Sequence, residues 1–300
     1  MKQKITPNLW FDGNAKEAVD FYVKAFSDSK VISTTNYPNS AVGGLADFQQ
    51  NMAGKELTIE FALGGHQFVA INAGPEFTFN ASVSFMMNFD PSRDAQARGH
   101  LDELWGKLIR GGEVLMPLDA YPFSKRYGWA KDKYGLSWQL ILANPKDEPR
   151  PFIVPSLMFA GAKTNHAEEA INLYTSIFKD AKPGTLARYR KDTGPAKADS
   201  LMYGDFMLAG QWFAAMDSGT EQDLSFNEAI SFAVTCKDQV EIDYFWEKLS
   251  HVPAAEQCGW CKDKYGLSWQ IVPENMGDLM QKPGAYAHMM QMKKLVITGF

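Results

Sequence analysis

The sequence predicts an α+β chain built from tandem βαβββ units, and two observations carry that prediction. The first is an internal duplication. The run Gly128-Trp129-Ala130-Lys131-Asp132-Lys133-Tyr134-Gly135-Leu136-Ser137-Trp138-Gln139 returns as Gly259-Trp260-Cys261-Lys262-Asp263-Lys264-Tyr265-Gly266-Leu267-Ser268-Trp269-Gln270, differing only at Ala130 against Cys261. The second is that hydrophobic periodicity switches repeatedly between two residues and 3.6, in the same order along each half.

Taken in order, residues 5–11 alternate as a strand, with Ile5, Pro7, Leu9 and Phe11 on one face and Thr6, Asn8 and Trp10 on the other. Asn14 then opens a helix whose apolar stripe is Ala15, Ala18, Val19, Tyr22 and Phe26. Alternating runs near 30–37, 57–63 and 67–72 complete one βαβββ unit. A strand near 82–89, a helix near 93–110 with Leu101, Leu104, Trp105 and Leu108 inward, and strands ending at 136–142 make the second. The second half repeats the order, so four units in tandem are expected. Pro7, Leu9 and Phe11 recur as Pro155, Leu157 and Phe159, and Ala18, Tyr22 and Phe26 as Ala170, Tyr174 and Phe178. The copies are read as residues 1–145 and 152–273, joined by the Pro-rich charged linker 144–151, with 274–300 as a C-terminal helical extension.

Composition narrows the function classes. Three hundred residues with 45% hydrophobic content suffice for a core in each half. A net charge of -5 and scattered Lys and Arg give no footprint for nucleic acid or an acidic membrane surface. The opening residues run straight into a strand pattern with no apolar leader, and no stretch approaches membrane-spanning length. Cys236, Cys258 and Cys261, an odd count in a sizeable chain, suit a reducing cytoplasm.

The element order, the repeated Lys-Asp-Lys-Tyr-Gly-Leu-Ser-Trp-Gln ending and the opening Thr6-Pro7-Asn8-Leu9-Trp10-Phe11-Asp12-Gly13-Asn14-Ala15 resemble the PhnB-like branch of the vicinal oxygen chelate superfamily. That branch often carries the label 3-demethylubiquinone-9 3-methyltransferase, and the superfamily includes glyoxalase I, bleomycin-resistance proteins and extradiol dioxygenases. The resemblance spans nearly the whole chain, including the tail Met289-Met290-Gln291-Met292-Lys293-Lys294-Leu295. It implies two concave mixed sheets, each a pair of βαβββ units cupping a ligand, with helices on the convex faces. Single-domain relatives usually pair their units between chains. The duplication then supplies both partners in one chain, giving a pseudo-twofold monomer, or a homodimer built on another surface.

Strand parity sorts the cup lining. Leu136, Trp138, Leu140 and Leu142 go under the helices, where Trp138 and Trp269 are expected near Phe11 and Phe159. Gln139 looks into the cup. The same logic places Asn8, Trp10, Ser84 and Met86 there in the first copy, and Ser156, Met158, Ser231 and Gln270 in the second. An apolar floor with a few neutral hydrogen-bonding groups suits a small-molecule pocket. Equally, Gln139 and Ser84 could satisfy each other inside a filled core. The carboxylates Glu60 and Asp205 correspond in the two halves but are expected on an outer face.

Metal-dependent relatives in the superfamily use two His and two Glu, or near variants; here the late-strand carboxylate position falls on Gln139 and Gln270. The opening strands hold no His, and no His is duplicated: His66 aligns with Gln211 and His100 with Glu241. No metal and no cofactor are therefore expected. Cys258-Gly259-Trp260-Cys261 has C-x-x-C spacing, but residues three apart on a strand point to opposite faces, so inert thiols are expected. Gly43-Gly44 and Gly64-Gly65 lack the strand–turn–helix setting of a nucleotide-type cofactor site, so nothing in the residues supports methyl transfer. Three readings remain: a metal-free small-molecule binder, a metal-dependent glyoxalase- or dioxygenase-type enzyme, and a structural or interaction protein with filled cups.

Overall fold

The structure, a computed structural model, describes residues 3–39, 45 and 47–300, with the backbone alone at 47–49. Gly43 and Gly44 lie outside the described residues. Unit one comprises β1 (Ile5–Phe11), α1 (Ala15–Ala25), β2 (Ser29–Asn36), β3 (Glu56–Leu63) and β4 (His66–Asn72). Unit two comprises β5 (Val83–Phe89), α2 (Ala97–Leu108), β6 (Glu113–Tyr121), β7 (Ser124–Lys131) and β8 (Ser137–Leu142). Unit three repeats unit one as β9 (Ile153–Phe159), α3 (Ala167–Ile177), β10 (Lys182–Arg188), β11 (Leu201–Leu208) and β12 (Gln211–Asp217). Unit four is one strand short of its counterpart: β13 (Ile230–Cys236), α4 (Gln239–Leu249), β14 (Trp260–Lys262) and β15 (Ser268–Pro273). The tail forms two short helices, α5 (Met276–Leu279) and α6 (Ala285–Met290). No helix of the described residues is long and apolar enough to cross a membrane.

The strands form two mixed sheets. The first has the order β14-β15-β13-β1-β4-β3-β2 and the second β10-β11-β12-β9-β5-β8-β7-β6. Units that share a sheet are thus not consecutive within one copy: unit one joins unit four, and unit two joins unit three. The seams are antiparallel, β1 on β13 with Asn8 opposite Ser231, and β5 on β9 with Ser84 opposite Ser156. Both sequence copies therefore contribute to both sheets.

The helices and the convex faces form one continuous core. Phe61 and Phe68 of the first sheet stack at 5.4 Å, and Phe68 meets Phe85 of the second sheet edge-on at 5.0 Å. In the other half Phe213 meets Phe232 across the sheets at 5.6 Å. Burying such rings supplies the main stabilisation, with the edge-to-face geometry adding about 1 kcal/mol per pair.

The first turn of α1 is capped from outside the helix. Asn14 makes no side-chain cap; instead Asn72 Oδ1 accepts from the Ala15 N–H at 3.0 Å, and in the repeat Asp217 Oδ1 accepts from the Ala167 N–H at 3.1 Å. Orphan amides at a helix start need such an acceptor, and here the last residue of the neighbouring strand provides it.

Candidate functional site

The twelve-residue duplicated run builds scaffold. Asp132 is buried, and its carboxylate accepts from Tyr22 Oη at 2.8 Å, Trp138 Nε1 at 2.8 Å and the Tyr134 and Leu136 N–H groups at 2.8 and 3.1 Å. Asp263 repeats this with Tyr174 at 2.7 Å, Trp269 at 2.9 Å, and the Tyr265 and Leu267 amides. Burial pushes both carboxyls above the usual range while the four donors pull them back. Each Asp ties its turn to the helix of the preceding unit and to its own strand. Trp138 packs on Tyr22, Phe26 and Phe85, not on Phe11, whose ring partners are Phe79 and Tyr134. The expected position under the helices stands; the expected neighbours do not.

One residue on, the opposite face of β8 reaches the concave side. Gln139 Nε2 donates to Ser84 Oγ at 2.8 Å, and Gln139 Oε1 accepts from Tyr127 Oη at 2.7 Å. Gln270 donates to Ser231 Oγ at 2.9 Å in the first sheet, so the Gln–Ser pair is duplicated like the motif that carries it. In both cups the amide and hydroxyl meet across a parallel strand pair, and all four residues are buried.

The remaining lining differs between cups. In the second sheet Met158, Trp129 and Tyr127 cluster with Met216, Ile141 and Tyr121, and Met86 lies on the same strand face as Ser84. Ser156 sits beside this cluster, opposite Ser84, 1% exposed, and its Oγ has no hydrogen-bond partner among the described residues. Over it the β6–β7 turn carries Phe123, 61% exposed, stacked on Tyr121 at 5.6 Å and edge-on to Tyr127 at 5.0 Å. In the first sheet Asn8 bonds back to the Thr6 carbonyl at 3.1 Å, and Trp10 packs edge-on to Phe77 and Trp260 while donating to the Gly74 carbonyl at 2.7 Å. Tyr127, Tyr203, Trp129 and Trp260 are cup groups that parity on the sequence alone did not single out. Their strands could have been sorted only by fixing the register of β7, β11 and β14.

The electrostatics favour donors over bases. Burial pushes the phenols of Tyr127 and Tyr203 well above their ordinary range, and neighbouring phenols or a carboxylate add to it. Both stay protonated at neutral pH. Asp205, expected on an outer face, is instead buried, bonded to Arg150 Nε at 2.7 Å and the Thr185 N–H at 2.6 Å, while Arg150 stacks on Trp212. Its counterpart Glu60 is exposed.

The residues present do not fit the superfamily's metal. Both Gln139 amide atoms are committed to neighbours, as is the Nε2 of Gln270. Among the described residues no three His, Cys, Asp or Glu side chains converge. His100 and His166 sit on nearby Asp94 and Glu169 at the surface, and His66 lies at the start of β4 against Phe68. Cys261 is in the core, while Cys258 lies in the turn before β14, half-buried, its Sγ 3.7 Å from Met290 Sδ. Two surface grooves of about 190 and 150 Å³ lie on the helical side, lined by residues such as Phe21, Lys24 and Arg110, and by Lys16, Val31 and Glu56.

Comparison with known proteins agrees with this architecture. The PhnB protein of Bacillus cereus is 36% identical over 47% of this chain and 100% of its own length, with a TM-score of 0.39. Glyoxalase I of Zea mays, 12% identical, matches 96% of this chain and 97% of its own with a TM-score of 0.52. A point mutant of the same maize enzyme, also 12% identical, matches 92% of this chain and 96% of its own at 0.51. These last two share the fold, and no curated protein matches the chain. The family described as 3-demethylubiquinone-9 3-methyltransferase matches twice, over residues 3–141 and 151–272. This chain is thus a member of that family, with the family's unit present in two copies on a glyoxalase-like fold.

Proposed function

We propose that the protein binds a small, partly apolar molecule in the cup of the second sheet, without a catalytic metal. The observation that supports this most directly is Ser156: a buried hydroxyl without a partner costs about 1–3 kcal/mol, and a ligand's polar atom would satisfy it. Around it Met86, Met158 and Met216 offer an adaptable apolar floor, and Tyr127, its proton committed to Gln139 Oε1, offers a fixed acceptor. Phe123 is held by its contacts with Tyr121 and Tyr127 and is otherwise in solvent. A ligand that swings Phe123 aside therefore loses little packing. The committed amides and the protonated phenols support binding over acid–base chemistry.

The experiment is native mass spectrometry with elemental analysis of the purified protein, paired with Ser156→Ala. A co-purifying small molecule is expected, with no stoichiometric metal. Melting should be unchanged by EDTA, zinc, nickel or manganese, because only a ligand of the folded state shifts it. Ser156→Ala should stabilise the ligand-free chain by about 1 kcal/mol yet weaken ligand retention. A stoichiometric metal, or a Ser156→Ala chain that retains ligand unchanged, would count against the reading.

A further inference from the structure

Unit four lacks a counterpart of β6, and the stretch 250–267 that replaces 109–136 is correspondingly shorter. Of the edge this leaves, the His251 N–H bonds the Lys262 carbonyl at 2.7 Å and Gln257 bridges Trp260, while the tail covers the turn that enters β14. The Cys258 and Gly259 N–H groups donate to the Met292 and Lys293 carbonyls at 2.8 and 2.7 Å, and Gln257 Nε2 donates to the Met290 carbonyl at 2.6 Å. Residues 292–293 thus stand where β6 stands in the second sheet. Leu295 anchors them, fully buried against Gly259, with its carbonyl held by Gln239 at 3.1 Å.

The same segment also reaches the far side of the first sheet. Tyr286 of α6 packs on Tyr37, which directly follows β2, with ring centroids 6.4 Å apart. Around this pair gather Met52, Met280, Met289 and Met290. Because β14 and β2 are opposite edges of the first sheet, the tail spans it from edge to edge. Met290, one turn of α6 on from Tyr286, lies against Cys258, so this short helix bridges the β2 end and the β14 end of the sheet. Apolar side chains of the tail thus link the two edges of this sheet, whereas at the second sheet the exposed Phe123 lies beside Tyr121 and Tyr127.

We propose that residues 276–295 are an intramolecular strap that holds the first cup shut, so that any ligand of that cup competes with Tyr286 and Met290. The proposal rests on the reading of the cups as ligand sites. It makes two cups of common ancestry unequal, the second available at once and the first only when the strap lifts. A ligand suited to the first cup would be flat and apolar, to lie against the Trp10–Trp260 pair.

Cys258 is a built-in reporter, because Cys236 and Cys261 are 0% and 1% exposed. The full chain is treated with 5,5′-dithiobis(2-nitrobenzoate), and binding of the apolar dye 1-anilinonaphthalene-8-sulfonate is counted in parallel. In the native chain Cys258 should react slowly and one dye should bind. Tyr286→Ala should speed Cys258 labelling by about tenfold or more through local opening and add a second dye, with near-UV circular dichroism retained. Gln257→Ala, which removes the Nε2 bonds to the Met290 carbonyl and to Cys258 Sγ, is the milder variant should Tyr286→Ala fold poorly, and it is read by dye binding. Should the native chain bind no dye while the variant gains one, the strap stands and the reading of the second cup falls. Cys258 labelling in the native chain as fast as in urea, or faster labelling in Tyr286→Ala with no added dye in either variant, would overturn the strap.

Discussion

His66 is the residue at which the two halves disagree most in chemistry. Its counterpart Gln211 donates to and accepts from the Ile5 backbone at 2.9 and 2.7 Å, whereas the His66 Nε2 is buried without a partner. Burial lowers the His66 pKa to about 4. A histidine depressed in the folded state contributes stability that is present above its unfolded pKa of about 6.5 and lost as pH falls toward 4. The unfolded chain takes up a proton in that window and the folded chain does not. The native protein should therefore lose about 2 kcal/mol more than His66→Gln between pH 6.5 and 4, measured by urea unfolding at each pH. Because the Gln is what the chain itself uses at the equivalent place, the substitution should also raise stability at neutral pH. Parallel pH profiles for the two proteins would show that the imidazole is solvated and titrates normally.

At the scale of the element, β8 separates scaffold from site on adjacent residues. Trp138→Ala removes a fully buried ring and one of four donors to a buried carboxylate, so a loss of about 3–5 kcal/mol is expected in chemical denaturation. Gln139→Leu keeps the volume but strands the Ser84 and Tyr127 hydroxyls, for a smaller loss of about 2 kcal/mol. The double variant Gln139→Leu with Ser84→Ala should recover part of that loss; failure to recover any would mean that the amide has no structural share. The faces of this strand were legible in the sequence, because Leu136, Trp138 and Leu140 alternate with Ser137, Gln139 and Ile141 and a strand admits one assignment of such a pattern. The bonds among Gln139, Ser84 and Tyr127 were only half legible. Gln139 and Ser84 share a face by parity, but Tyr127 joins them through the register of β7 on β8, which alternation does not set. The Asp132 staple was visible as a repeated residue without a role, since its partner Tyr22 lies 110 positions away.

For the molecule as a whole, the duplication announced two copies but not how they interlock. Strands β1, β5, β9 and β13 carry similar apolar alternation, so pairing units within a half or crossing between halves buries much the same faces. The choice lies in seams such as Asn8 with Ser231 and Ser84 with Ser156, and in cross-half contacts such as Lys4 with Glu241 at 2.7 Å. The fourth unit's missing strand and the tail that replaces it depend on contacts such as Gln257 with Met290, 33 positions apart, which local pattern cannot report. Because each sheet runs through both copies, separating the halves would expose four strand edges, β1 and β5 on one half and β9 and β13 on the other, and split the core, so the linker should not be what holds them together. Residues 144–149 are exposed. Cleavage there, for example after Lys146, should leave a particle of the intact chain's 33.5 kDa mass in native mass spectrometry, with fragments released only by denaturant. The nicked protein should melt within a few degrees of the intact one, since the loss is confined to the entropy of a short tether. Folded halves that drift apart after the cut would show that each copy is a self-sufficient domain and that the crossed sheets do not bind them.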